Sequence, residues 1–382
     1  MHALDKINDA AIQRNRDRIR GSLIGGAIGD ALGYPVEFMT WGGIRQEYGE
    51  RGIQEYELDA RTGKALITDD TQMTLFTACG LLYGMTHQAL KGSSAAPSDW
   101  VYRAYLDWLT TQSRGPASSQ PPVSWILSRK ELHAWRAPGG TCLNSLSSGD
   151  RGTTAEQINN SKGCGSVMRV APMGLLHPEL HGAELAPLDC EAAETGAITH
   201  GHPLGYIPCA FLAHAIHEAA FSEGENVTLR GIVEEALATT ERIYAGEAHF
   251  ASFRELIHRA MEYADNGKPD VENIHALGGG WVADEAAAIG IYCVLRHEDS
   301  FTDAMIAAVN HSGDSDSTGA IAGNLLGAWI GYAAIEDKWK KDLELSDVIL
   351  ELADDLCRSA TMSSEDCDEA WREKYASIGS AE

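Results

Sequence analysis

The chain has 382 residues, 44% apolar and 22% charged, a balance that supports a folded globular core. Its formal net charge of −25 argues against non-specific nucleic-acid binding, which relies on Lys and Arg releasing counterions from phosphates. A phosphate-bearing ligand stays open, because metal cations or helix N-termini can supply positive potential locally. The opening MHALDKINDAAIQRNRDRIRG lacks the apolar stretch of a signal peptide, and the longest apolar run, 321–335, is shorter than a membrane span and contains Asn324. Eight cysteines occur singly without a Cys-x-x-Cys pair, so reduced thiols in a cytoplasmic protein are expected.

Residues 16–32 form the first strong helical pattern, with Ile19, Leu23, Ala27, Ile28 and Ala31 on one stripe. Gly21, Gly25, Gly29 and Gly33 fall four apart, which makes a flat seam that another helix can approach closely. Each glycine costs a helix about 1 kcal/mol relative to alanine, so burial must offset the loss and a central helix is expected. GGAIGDALG is not read as a dinucleotide fingerprint, because nothing before it resembles a strand. Helices are expected at 67–83, capped by Thr68 or Asp69, and at 102–109; SRGPASSQPPV, 113–123, reads as a loop. Residues 137–165 are rich in Gly, Ser and Asn and nearly free of periodicity, which reads as a binding loop, with disorder as the competing reading. Helical patterns resume at 189–199, 203–222, 228–244, 250–264, 283–296, 302–309, 318–335 and 346–358, with Ser346 as a cap. Strand alternation is scarce, and one mostly α-helical domain is expected over 1–382.

Three acidic groups sit at the edges of apolar helices: Asp30 with Glu37, Thr68-Asp69-Asp70-Thr71, and Asp314-Ser315-Asp316-Ser317-Thr318. Each alone reads as capping. Together they offer hard oxygen ligands and no sulfur, which suits Mg²⁺ or Mn²⁺ over Zn²⁺. Carboxylates gathered in one pocket need neutralising, and two divalent cations could do this while polarising a leaving group and activating water. Residue types alone do not bring these segments together. Gly319, Gly323 and Gly327 repeat the four-residue spacing, however, so the two glycine seams are expected to pack against each other and hold their polar ends at one site.

The motifs GSLIGGAIGDALGYPVEF (21–38), TDDTQM (68–73), GCGSVMR (163–169), THGHPLGY (199–206), GGGWVADEAAAIGIYC (278–293) and SGDSDSTGAIAGNLLGAWIG (312–331) together resemble the ADP-ribosylglycohydrolases, in that family's order, over about 16–335. Residues 336–382 would then be a C-terminal helical extension. The resemblance implies an all-α orthogonal multi-helix bundle around a binuclear centre of two Mg²⁺ or Mn²⁺. It implies Thr68, Asp69, Asp70, Asp314, Asp316 and Ser317 as metal ligands and Glu37, Asp70 and Asp316 as catalytic residues. Ser161 to Arg169 resembles the loop that wraps the diphosphate and second ribose, with Ser161, Lys162, Gly163, Gly165 and Met168 binding substrate and His200 near the ADP-ribose. Lys162 and Cys164 stand where relatives vary, so backbone N–H contacts are expected there. His202 has no counterpart and is expected to face solvent or cap a turn before Pro203. Trp281 and Glu285 are expected at the adenosine end, and Asp107 is a candidate acid-base group on the leaving side.

The implied activity is metal-dependent hydrolysis of the bond between ADP-ribose and an acceptor. GDSDST is closer to the arginine-specific branch than to the serine-specific one, so ADP-ribosyl-arginine on protein is the expected substrate. The alternatives are serine-, nucleic-acid- or metabolite-linked ADP-ribose, or a non-catalytic ADP-ribose-binding protein. The implied ligand is an ADP-ribosylated protein or ADP-ribose itself, with no membrane partner, and a monomer is favoured.

Overall fold

Sixteen α-helices cover most of the chain in the computed structural model, which describes residues 3–112, 120–224, 226–360 and 363–376. They are α1 (Ala3–Gly33), α2 (Trp41–Tyr48), α3 (Asp69–Lys91), α4 (Pro97–Thr111), α5 (Gly140–Ser148), α6 (Ala186–Ala197), α7 (Pro203–Phe221) and α8 (Leu229–Tyr244). There follow α9 (Phe250–Ala264), α10 (Asp270–Leu277), α11 (Ala283–Arg296), α12 (Phe301–Val309), α13 (Ser315–Ile330), α14 (Asp337–Lys340), α15 (Ser346–Ser359) and α16 (Glu369–Tyr375). Short 3₁₀ turns join several of them, and the described residues hold isolated β-bridges but no strand. The fold is all-α. Among the described residues no helix is long and apolar enough to cross a membrane.

The glycine seams determine how the centre is built. α1 and α13 run antiparallel in close contact: a Cβ added at Gly21, Gly25 or Gly29 would collide with the carbonyl oxygen of Gly327, Gly323 or Gly319, and the reverse holds for each pair. A Cβ at Gly33 would strike the backbone of Ser315 and Asp316. Main chain therefore packs on main chain along the seam, and the expected contact between seams is present. One consequence follows directly: the last turn of α1 lies against the first turn of α13. Around this pair pack α3, α7, α11, α12 and α15. Residues Leu204 to Phe221 of α7 are all buried, as expected of a helix that is apolar on every face.

Helices of three or more turns fall at the expected places, and α9 and α11 match to the residue, but α1 starts well before the expected 16, at Ala3, and α3 runs past the expected 83, to Lys91. Three short helices were not expected. α2, α5 and α10 have eight or nine residues and bury only one to three side chains each, too few turns to display a period. α5 lies inside the segment expected to be a loop. α4 starts earlier than expected, at Pro97, whose fixed φ and missing N–H suit a first helical turn. α13 also begins earlier, at Ser315, and stops at Ile330 because Gly331 takes φ +84°. Of the expected loop 113–123, residues 113–119 lie outside the described residues.

Candidate functional site

A cavity of about 250 Å³ opens where the turn after α1 meets the first turns of α3 and α13. Thr68 caps α3, its hydroxyl accepting from the Asp70 N–H, so that Asp69 and Asp70 form the first turn. Asp314 caps α13, its Oδ1 accepting from the Ser317 N–H at 3.4 Å, and Asp316 follows in the first turn. Glu37 ends the turn after α1. The walls are Glu37, Phe38, Asp69, Asp70, residues 137–140, Cys164, Gly165, Met168, Trp281, Asp314, Asp316 and Ser317. Two helix N-termini, the positive ends of their dipoles, thus face one space lined by carboxylates.

Asp30 is the piece that joins these helices. From the last turns of α1 its fully buried carboxylate accepts from Thr68 N–H (3.0 Å), Thr68 Oγ1 (2.8 Å), Thr71 N–H (3.1 Å) and the Thr71 hydroxyl. It fixes the start of α3 to α1, as the glycine seam fixes the start of α13. Burial pushes Asp30 up to about 6, against the lowering effect of these donors.

The cavity carboxylates are all buried and all raised. Burial, then Asp314, Asp69 and Asp30, push Glu37 up to about 9. Burial is also the main cause of the rise for Asp69, to about 8, and for Asp70, Asp314 and Asp316. Glu37, Asp314 and Asp316 each offer a carboxylate oxygen within 4.8 Å of the others. Glu37 Oε2 and Asp70 Oδ2 are buried without a hydrogen-bond partner. Orphaned, mutually repelling carboxylate oxygens are what a hard divalent cation would satisfy, so the residues present fit Mg²⁺ or Mn²⁺.

The facing wall is held differently. Asn159 Oδ1 accepts from Ser161 N–H (2.9 Å) and Gly201 N–H (3.1 Å), while its Nδ2 donates to the Thr199 carbonyl (2.8 Å). Cys164 N–H donates to Trp281 O and Ala283 N–H to Lys162 O, which ties the loop to the start of α11. The Cys164 thiol lies 2.7 Å from Asp314 Oδ2. Behind it, Arg169 is fully buried with no carboxylate partner among the described residues; it lies 4.3 Å over the Tyr105 ring and donates to Thr199 Oγ1 (2.7 Å).

Of the residues singled out from sequence, Glu37, Asp69, Asp70, Asp314, Asp316, Ser317, Gly165 and Met168 reach the cavity wall. Thr68 stands one layer back, its hydroxyl hydrogen committed to Asp30. Ser161 and Gly163 belong to the loop behind the wall, where Ser161 Oγ meets Thr141 Oγ1 at 3.0 Å. Lys162 turns its ammonium toward Asp284, 3.3 Å away. His200 is buried behind Gly163 and Gly165 with Nδ1 against Thr199 Oγ1; burial, then Arg169, lower it to about 3, so it is neutral. His202 caps α7 by accepting from the Leu204 N–H.

Two expectations need correcting. Asp107 is not on the cavity: its carboxylate accepts from Val123 N–H (2.8 Å) and Ser124 N–H (2.9 Å) and anchors that segment. Glu285 accepts from Gly279 N–H (2.9 Å) and secures the glycine turn before α11, whereas Trp281 stands at the cavity mouth close to Glu37 and Phe38. Sequence reading also passed over Gly139, whose N–H donates to Asp69 Oδ2 at 3.0 Å. The signal was the Pro-Gly-Gly run that opens α5.

Fold and site together define an all-α protein with a pocket at paired helix N-termini whose acidic floor is carboxylate and whose walls include the Cys164 thiol and the Phe38 and Trp281 rings. The profile of the ADP-ribosylglycohydrolase family matches residues 11–366, and the chain belongs to that family. It is 28% identical over 329 residues to the ADP-ribosyl-[dinitrogen reductase] glycohydrolase of Rhodospirillum rubrum, covering 86% of this chain and 91% of that protein. It is 25% identical over 346 residues to the ADP-ribosylarginine hydrolase Tri1 of Pseudomonas putida, covering 89% of this chain and 78% of that one. A solved ADP-ribosylglycohydrolase-related protein complex superposes with a TM-score of 0.57 at 25% identity, over 91% of this chain and 100% of that chain.

Proposed function

We propose that the protein is a metal-dependent hydrolase that releases ADP-ribose from arginine side chains of modified proteins. The observation that carries this is the cavity floor, where Glu37 Oε2 and Asp70 Oδ2 are buried without partners among raised carboxylates. Family membership supplies the ADP-ribosyl substrate, and the name of the Pseudomonas relative supports arginine as the acceptor.

In this reading Asp69, Asp70, Asp314, Asp316 and Ser317 would hold two Mg²⁺ or Mn²⁺, with the Thr68 hydroxyl, one layer back, orienting the start of α3 by accepting from the Asp70 N–H. When bound, the cations supply positive charge that fixes the ribose hydroxyls and stabilises a bond-breaking state short of electrons at C1″. With cation charge offsetting the burial and the neighbouring carboxylates that raise it, Glu37 would be ionised, orient the attacking water and accept its proton. The new bond is water oxygen to C1″; the bond that breaks is C1″ to the guanidine nitrogen, which keeps the electron pair and takes up the proton that Glu37 removed from water, so arginine leaves as its guanidinium and Glu37 is regenerated. Within loop 161–165 the Gly165 N–H, on the cavity wall, would serve the diphosphate, while the Ser161 and Cys164 N–H groups hold the loop's shape through Asn159 and Trp281 and neutral His200 supports it from behind. A reducing compartment such as the cytoplasm suits the eight free thiols.

The test is Asp314→Ala combined with Asp316→Ala, checked for folding by thermal melting and assayed for ADP-ribose release from an ADP-ribosyl-arginine peptide. Release is expected to be abolished in a folded variant. Undiminished release would overturn the metal-site assignment, and release by the wild type only from serine-, nucleic-acid- or metabolite-linked substrates would overturn the arginine acceptor.

A further inference from the structure

Phe38 and Trp281 are large apolar side chains left 75% and 45% exposed at the mouth of the acidic cavity. Their rings stack at 5.8 Å between centroids and 22° between planes. The backbones that carry them are fixed. Residues just after Phe38 are pinned where Trp41 N–H donates to Ser312 Oγ at 2.7 Å. Trp281 follows Gly278 and Gly280, at φ +142° and +77°, and a Cβ at Gly280 would press on Thr318 and Asp314, so this turn packs against the start of α13. The Trp281 carbonyl accepts from the Cys164 N–H. A rigid backbone that holds two aromatic faces in solvent beside carboxylates is organised for a ligand rather than for packing.

We infer that Phe38 and Trp281 form an aromatic lip that stacks on the guanidinium of the ADP-ribosylated arginine and so selects that acceptor. The inference rests on the function proposed above and names the part of the site that reads the leaving group. Three observations favour a guanidinium over the adenine ring. Phe38 directly follows Glu37, so the lip stands at the end of the cavity where the C1″–nitrogen bond would be cut, with the guanidine one bond from C1″. Among the described residues no Lys or Arg lines the cavity, so a cation approaching the lip meets carboxylates and π faces. The nearest lysine on the loop, Lys162, is drawn off to Asp284. A planar, weakly hydrated guanidinium is also the cation best suited to stack on an aromatic face.

The test is steady-state kinetics on an ADP-ribosyl-arginine peptide with Phe38→Ala, Trp281→Ala, Phe38→Leu and Trp281→Phe, with free ADP-ribose as a competitive inhibitor. Both rings are exposed, so the variants should melt close to wild type. Each alanine variant is expected to raise KM about 5- to 30-fold, the range for a cation–π contact that is partly to fully desolvated, with kcat moving far less. Phe38→Leu keeps the apolar bulk but not the π face and should lose nearly as much as Phe38→Ala; Trp281→Phe should recover most of the loss. The inhibition constant of ADP-ribose should not move. An unmoved KM, or an ADP-ribose inhibition constant that rises in step with KM, overturns the lip while leaving the arginine reading in place. A wild type that cleaves no arginine-linked substrate overturns both.

Discussion

The floor of the cavity and its facing wall are held by different forces. Asp69, Asp70, Asp314 and Asp316 stand on helix ends whose positions are set by the α1–α13 seam and by Asp30. Residues 159–165 have no regular element longer than a 3₁₀ turn and are held by Asn159 and by bridges to Trp281 and Ala283. Chemistry that needs carboxylates at fixed separations sits on close-packed backbone, which can hardly shift. Ligand wrapping sits on side-chain-to-backbone hydrogen bonds, each of which contributes only about 1 kcal/mol net.

That contrast can be broken at graded strengths. Gly25→Val on the seam should be the most severe. Its side chain would meet the Gly323 carbonyl in a backbone contact with no flexible side chain to yield, so a loss of about 3 kcal/mol or more is expected, read as insoluble product or a collapsed Tm. Asp30→Asn should come next. An amide cannot accept from every Thr68 and Thr71 donor, so the fold should lose about 1–3 kcal/mol. Mn²⁺ affinity, measured by calorimetry, should fall about 10- to 100-fold, the usual cost of losing a group that orients metal ligands. Asn159→Ala should weaken ADP-ribose binding while leaving Mn²⁺ affinity alone, which separates wall from floor in a single pair of titrations. His202→Ala should be smallest: loss of the α7 cap costs about 1 kcal/mol, seen in Tm with little change in ADP-ribose release.

The same division governs what could be read from sequence. The floor was legible because both of its causes leave periodic marks: glycines four apart, and Asp and Thr at the mouths of apolar helices. Asp30 was noticed as acidic, but its role was not legible, since its partners Thr68 and Thr71 are about forty residues away in the chain. The wall left only a composition, rich in Gly, Ser and Asn. Neither α5 within it nor the Gly139 contact to Asp69 has a period to detect. Asp107 misled for a related reason: a carboxylate that caps a distant turn looks the same in sequence as one that faces a substrate. Phe38 left no signal in the sequence, and Trp281 was expected at the adenosine end; only their exposure and mutual stacking join them as one feature beside Glu37.

The central claim is that the carboxylate floor is a cation cradle that drives release of ADP-ribose. Its most direct test is ADP-ribose release from an ADP-ribosyl-arginine peptide by the chelator-stripped wild-type protein, before and after Mn²⁺ or Mg²⁺ is added back. The account predicts no release from the stripped protein and full recovery on adding the cation, with none for Asp316→Ala under the same conditions. Release that continues undiminished after complete stripping would contradict it.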